Sequence, residues 1–411
     1  MSAILRSIGR LAAVAMLPLQ AACSLDVSNP GIIDASTFDP LADARTLSLS
    51  AQQNFYAAYV DLINSTALYS GEVWTGAVRQ ESNDIGRRAI VDTNVDLNGS
   101  FWAPLQLVLA TNDEVVAVLR ASPDFDTNLN VARSSMWAGF ALELMGEIFC
   151  QGVIAVGPPL TPPQTLDSAM VRFQRAITIA SALSGDEAAK IAGAARVGLA
   201  RAQLQKGDNA AAAETAATVP AEFVVNAIYV DDPQSRGRTG NGVFAASAST
   251  VQIVAGDYRA LNDPRVPFAD AGTDAQDGRN HLYRQQKYTT FSDPIRVASG
   301  LEARYIVAEA ELKQGDPASA LELIAERRAA SGQDPFGGTG TDAILAELMD
   351  QRARDFWLEA KHLGDYLRNP SATPFVPAEG TPFYKPDQGD FGPLTCLEVP
   401  FVEKTNNPNF P

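Results

Sequence analysis

LEARYIVAEAELKQGDPASALELIAERRAASG, residues 301–332, is the segment from which the architecture of this chain can be built. Leu301, Tyr305, Ala308 and Leu312 recur at helical spacing and form one apolar face. Gly315 and Asp316 stop that helix, and Ala320, Leu321 and Ile324 begin a second face. Small residues at facing positions allow two antiparallel helices to approach closely. Downstream, ILAELMDQRARDFWLEAKHLGDYLR (344–368) reads as one charged helix. It carries Gln351, Arg352, Arg354, Asp355, Glu359, Lys361 and Asp365 around Leu348, Phe356, Trp357 and Leu358.

The turn KQGDPASALE (313–322) has an echo in KGDNAAAAE (206–214). Both punctuate helix pairs of the tetratricopeptide kind, but they stand more than three repeat lengths of ~34 residues apart. The expected array is therefore interrupted rather than a regular solenoid. Helical periodicity also marks 41–68, 101–119, 131–150, 168–182, 187–206 and 209–218. Residues 69–100 and 220–299 are rich in Gly, Asn and Asp and lose that period, so they read as loop-rich insertions. Within 220–299, VFAAS and TVQIVA have a β-like pattern. Residues 369–411 form an irregular C-terminal region.

The hairpin and charged helix resemble the C-terminal signature of the SusD/RagB family, surface lipoproteins that capture nutrients for a TonB-dependent outer-membrane transporter. NDPRVPF (262–268), CLEVPFVEKTNNPNF (396–410) and LDV followed by a Pro-containing turn (25–30) resemble family segments too. Gln351 and Asp355 stand where the family usually has Glu, and Ala360 where Gly is common. The resemblance implies a mainly α, SusD-like fold with tetratricopeptide-like hairpins and irregular loop-rich insertions, in a single domain over 41–411 with helical scaffold at 41–68, 101–219 and 300–368. It further implies a non-enzymatic role: binding an oligomeric nutrient, a glycan first and a peptide second, and delivering it to a SusC-like TonB-dependent transporter. Two other classes remain open at this level, a tetratricopeptide-like envelope scaffold and a secreted glycosidase.

Residues 1–22 read as a lipoprotein signal peptide. Arg6 and Arg10 precede LAAVAMLPL (11–19), which is too short to span a bilayer, and QAAC (20–23) resembles a lipoprotein cleavage site, with Gln20 where Leu is usual. Cys23 is the expected lipidation site, residues 23–40 the tether, and the outer membrane, cell-surface side, the expected location. Cys150 and Cys396 then remain in an oxidising compartment, where they either pair or stay as two buried thiols. A formal net charge of −16 argues against nucleic acid, whose phosphates require basic patches.

Catalytic signals are weak. Only His281 and His362 are present, and no nucleophile elbow, His-Glu-x-x-His pair or phosphate loop occurs. Cys and His are too sparse for a zinc site, and no cofactor is expected. Asn94, Asp96, Asn98 and Gly99 open like a calcium loop but lack its closing Glu, so a polar turn is the better reading. Asp355 and Glu359, four apart on the charged helix, could suggest a glycosidase pair, but Arg352, Arg354 and Lys361 around them favour ion pairing. Ligand contacts are expected from loop aromatics, because their rings stack on the C–H faces of sugars while polar neighbours bond hydroxyls. The candidates are Tyr69, Trp74, Arg79, Asn83 and Asp84 in the first insertion, and Tyr283 and Tyr288 in the second. Trp102, Trp137 and Trp357 fall within helical segments and are assigned to the core.

Overall fold

The computed structural model describes Asp39 and residues 41–411; the signal segment, Cys23 and most of the tether lie outside the described residues. Helices carry the scaffold. Helix α1 (Ala44–Ser70) buries Phe55, Tyr59, Leu62 and Ile63 and leads into strand β1 (Val73–Thr75). After α2 (Gln80–Gly86), a π-helical turn at Leu97–Trp102 continues into α3 (Ala103–Leu119). Asn94 starts that turn by accepting hydrogen bonds from the backbone N–H groups of Asp96 and Leu97, so the calcium-like spacing serves a polar turn. Helix α4 (Leu129–Ile148) is the central element, with every residue from Val131 to Ile148 buried. Its Trp137 packs 4.6 Å from the ring of Phe55 on α1, and Phe140 meets Phe173 edge-on at 5.0 Å.

Phe173 belongs to α5 (Pro162–Ser181), which starts earlier than its apolar period implies. Pro162 and Pro163 occupy its first turn, where a missing N–H costs nothing, and a Thr161–Gln164 capping box closes the end. Helices α6 (Asp186–Lys206) and α7 (Asn209–Ala216) form the first hairpin. The insertion that follows holds β2 (Val224–Ala227), α8 (Gly242–Ala248), β3 (Gln252–Val254), α9 (Gly256–Ala260), β4 (Phe268–Asp274), β5 (His281–Gln285) and β6 (Ile295–Ser299). VFAAS is thus helical rather than β-like: Asn241 caps α8 by accepting from Val243 and Phe244 N–H, and a local cap outweighs a short apolar run. The strands form three two-stranded antiparallel pairs, β1–β3, β2–β6 and β4–β5.

The second hairpin, α10 (Gly300–Lys313) with α11 (Ala318–Ala330), repeats the first in detail. Gly207 and Gly315 both take left-handed backbone, with φ of 86° and 96°, which favours glycine. The following residue closes each helix in the same way: Asp208 N–H donates to Gln203 O at 2.9 Å, and Asp316 N–H to Glu311 O at 3.0 Å. Helix α10 packs directly against α7, so hairpins remote in sequence are neighbours in the stack.

The expected single helix over 344–368 is two. Helix α12 (Thr341–Asp355) ends at a buried turn, and α13 (His362–Arg368) begins after it. Leu358 and Ala360 in that turn have φ of 57° and 54°, the left-handed region disfavoured for residues with a side chain and favourable to glycine. The buried Glu72 carboxylate accepts from Leu358 N–H at 2.9 Å, and the Tyr59 hydroxyl lies between the carbonyls of Glu359 (2.9 Å) and Arg296 (3.0 Å). Burial raises the Glu72 pKa to about 7. Trp357 is core as expected, though it sits in this turn and not in a helix.

A charge cluster is buried where α4, α6 and α10 meet. Arg201 Nε lies 2.6 Å from Glu143, its guanidinium also grips Glu147, and Lys361 Nζ lies 2.9 Å from Glu302. Three carboxylates face two cations. Desolvation, opposed by Arg201 and reinforced by Glu147, pushes the Glu143 pKa well up. Cys150, just past α4, is disulfide-bonded to Cys396, with Cα atoms 5.0 Å apart. The pairing is framed by Leu397 N–H donating to Ile148 O and Cys150 N–H to Leu397 O. A final helix, α14 (Phe401–Asn406), follows, and Asn407 donates to Gly157 O at 2.9 Å, holding the end of the chain on the proline-rich loop.

Candidate ligand-binding platform

Strand β1 pairs with β3 so that Trp74 faces Ile253 across the ladder. Helix α9 follows β3 at once, and a Cβ on Gly256 would stand 3.2 Å from the Trp74 ring, so glycine keeps the indole seated. One residue after Tyr258, Arg259 turns back and donates from Nε to Val254 O at 3.1 Å. Its guanidinium lies 3.9 Å from the ring centre of Tyr283 on β5 and 5.6 Å from that of Trp74, both cation–π distances. Trp74 stacks on Tyr384 from the C-terminal region, with centroids 4.6 Å apart and planes 13° apart. The Tyr384 hydroxyl is hydrogen-bonded to Thr75 N–H. His281 meets Tyr283 at 5.0 Å and holds Asp270 at 2.5 Å. The Gly272 N–H first, and then His281, keep the Asp270 pKa below the ordinary carboxylate range. Trp74, Tyr283, Arg259 and Tyr384 are all half-buried, a rigid aromatic group with remaining accessible surface.

The seven expected contact residues divide. Trp74 and Tyr283, from different insertions, come together under Arg259. Asn83 is buried behind them: Lys385 Nζ donates to Asn83 Oδ1 (2.9 Å) and Ala77 O (2.7 Å) and lies 3.1 Å from Asp277, so one ammonium ties three segments. Burial lowers the Lys385 pKa. Arg79 is exposed and paired with Asp96 at 2.7 Å, while Asp84 is held by Arg87 at 2.9 Å. Tyr69 is buried at the end of α1, its hydroxyl donating to Thr395 O at 3.1 Å, and Tyr288 is buried with its hydroxyl directed at Leu358 O. Tyr69, Asn83 and Tyr288 are therefore structural residues rather than exposed contacts. Their polar atoms have backbone or lysine partners that sequence position does not reveal. Two further members of this candidate platform, Tyr384 and Arg259, are not among the expected contacts. Tyr384 satisfies the same loop-aromatic rule, between Pro382 and Pro386, whereas nothing in the local sequence marks Arg259.

Asp355 and Glu359 do not share a helix face. Asp355 accepts from Arg265 (3.1 Å), Arg327 (2.7 Å) and the Tyr305 hydroxyl (2.6 Å); Glu359 accepts from Lys287 (2.7 Å) and Arg296 (2.8 Å). Ion pairing holds, but with partners distant in sequence, because α12 ends at Asp355 and Glu359 lies in the turn that follows. The neighbours invoked from sequence pair elsewhere: Arg352 with Asp365, Arg354 with Asp350, and Lys361 with Glu302. Among the described residues no group of three or more His, Cys, Asp or Glu is arranged to hold a metal.

Compared with known proteins, no family model matches the sequence and no curated protein does. Solved structures match over nearly the whole chain. A SusD-like carbohydrate-binding protein from Bacteroides vulgatus superposes with a TM-score of 0.67 at 15% identity, covering 91% of this chain and 98% of that one. The chain has the SusD fold. A laminarin-binding SusD-like protein gives 0.67 at 14% identity, over 90% of this chain and 98% of its own. Surface glycan-binding protein A from Bacteroides uniformis gives 0.64 at 11%, over 85% and 94%. In this SusD-fold chain the platform is assembled from both insertions and the C-terminal region, all carried on the helical stack.

Proposed function

We propose that this chain binds a glycan on the Trp74–Tyr283 platform and delivers it to a SusC-like TonB-dependent outer-membrane transporter, from a surface position secured by lipid at Cys23. The observation that carries the reading is the convergence of Trp74, Tyr283 and Tyr384 from three separate segments around Arg259. Flat, preorganised rings flanked by a cation and by His281 suit a saccharide, whose C–H faces stack while hydroxyls bond to N–H donors. Structural likeness to proteins described as carbohydrate-, laminarin- and glycan-binding supports the ligand class. Burial of Asp355 and Glu359, each beneath its own pair of cations, supports binding over hydrolysis, since a glycosidase needs two carboxylates exposed to one bond.

Calorimetric titration with hits from a neutral oligosaccharide array tests the platform. Trp74→Ala and Tyr283→Ala should each weaken binding about tenfold, equivalent to about 1.4 kcal/mol. Wild-type affinity in both variants would refute the assignment.

The export segment ending at QAAC supports the anchor. No helix among the described residues is long and apolar enough to cross a membrane. Lipid confinement to the transporter's membrane raises effective concentration, so modest direct affinity suffices for a complex. A fatty-acid analogue should label the wild type but not Cys23→Ala, and mild detergent extraction should co-purify a large β-barrel. Equal labelling of the variant and recovery of the chain alone would overturn this.

A further inference from the structure

The open crevice above Asp355 and Glu359 has a volume of about 600 Å³, and its lining includes Arg265, Lys287, Arg296, Arg327 and Asn226. Its charges are layered. The two carboxylates lie at the bottom with only 2% of their side chains exposed, whereas Arg265, Lys287, Arg296 and Arg327 show 13%, 19%, 23% and 20%. Asp355 is bonded by Arg265 and Arg327 and, from the core, by the buried Tyr305 hydroxyl, and Glu359 by Lys287 and Arg296. Arg296 uses Nε and Nη2 on Glu359 and on Asp355 O, and Arg327 uses Nε and Nη2 on Asp355. Arg296 Nη1 makes no hydrogen bond among the described residues; Arg327 Nη1 makes none either, its one charge partner being Glu326 in a loose ion pair at 3.7 Å. Two guanidinium groups thus have their inner edges occupied and Nη1 donors left over. Asp293, the third acid lining the crevice, is turned onto the N–H groups of Thr289 and Thr290.

We propose that this crevice is an oxyanion site, taking a carboxylate or sulfate group carried by an acidic saccharide. Fixed guanidinium donors bind such planar or tetrahedral anions through charge-assisted hydrogen bonds, and they lose little entropy because their forks are already held. The four lining cations outnumber the three lining acids, against a net charge of −16 for the chain as a whole. Continuity with the platform is short: Tyr283 lies on β5, and Lys287 lies in the segment just after it. The saccharide half of this inference rests on the glycan reading above; the oxyanion half does not.

The test uses NMR titration of the mature chain with sodium sulfate, glucuronate and glucose at constant ionic strength. Sulfate and glucuronate should bind saturably, with shifts at Asn226, Arg296 and Arg327, and glucose should not produce them. Asn226 stands directly across the β2–β6 ladder from Arg296, so Asn226→Asp places a competing carboxylate beside the guanidinium without touching a buried pair. It should weaken both anions at least tenfold, and Arg327→Gln, which leaves Asp355 with Arg265 and Tyr305, should do likewise. Unchanged anion affinity in Asn226→Asp, or no saturable anion binding by the wild type, overturns the site even if neutral glycans bind at Trp74. Sulfate binding that persists while no saccharide of any charge binds supports the oxyanion site and removes the glycan reading. Binding of sulfate but not glucuronate assigns the group to a sulfated ligand, and the converse to a uronic acid.

Discussion

Arg201→Met should lower the stability of the folded chain by about 3–5 kcal/mol, the usual cost of stripping a buried ion cluster of one partner. Arg201 is the cation shared by Glu143 and Glu147, and the side chains of all three are at most 6% exposed. Methionine fills the volume but leaves three carboxylates facing Lys361 alone in a dry interior. Glu143→Gln should behave oppositely. The folded-state pKa of Glu143 is raised, so its contribution is fully present below the unfolded-state pKa and fades as pH rises toward the folded value. Glutamine removes that loss, and the variant should match or exceed the wild type at neutral pH with a flatter pH profile. Urea unfolding from pH 5 to 8 reads both effects. An Arg201→Met midpoint within error of the wild type, or a Glu143→Gln cost as large as that of Arg201→Met, would disprove this account of the cluster.

Loss of the Cys150–Cys396 bridge is the second large effect expected. The cysteines are 246 residues apart in sequence, so the bridge closes a long loop in the unfolded chain. Removing a disulfide of this kind costs about 2–5 kcal/mol, through greater freedom of the unfolded state in the loop-entropy account. The double variant Cys150→Ser/Cys396→Ser should therefore melt well below the wild type. It should also be cut first near Cys396, where the chain is otherwise held to the end of α4 by the backbone pairing of Leu397 with Ile148 and Cys150. Two readily alkylated thiols in the unreduced native protein would show that the bridge does not form.

The scaffold was largely legible because helix faces are periodic. The segments 41–68, 131–150, 187–206 and both hairpin turns reappear with ends shifted by a few residues. What the sequence concealed was governed by partners far along the chain. The turn at 356–360 interrupts an unbroken helical pattern because Glu72 and Tyr59, near the other end of the chain, satisfy its backbone. VFAAS reads as extended because a seven-residue helix offers too few turns for a period to show. The platform was half legible. Trp74 and Tyr283 follow from a rule about loop aromatics, but that rule has no means of separating them from Tyr69 and Tyr288, whose burial is fixed by carbonyls at Thr395 and Leu358.

The adjacency of α7 and α10 has a further consequence, for how such chains diversify. The segment between them leaves the stack and rejoins it at one place, and β2 pairs with β6 at its base, Val224 opposite Ser299 and Ala227 opposite Ile295. It is a loop zipped shut at the neck. Closing a loop costs only about 0.6 kcal/mol more for each doubling of its length. Residues beyond the neck that do not bond to the helices, unlike Arg265 and Lys287, can therefore lengthen, shorten or change chemistry while the two hairpins stay in register. Structures superposing over nine-tenths of this chain at 13–15% identity are what such uncoupling would leave behind.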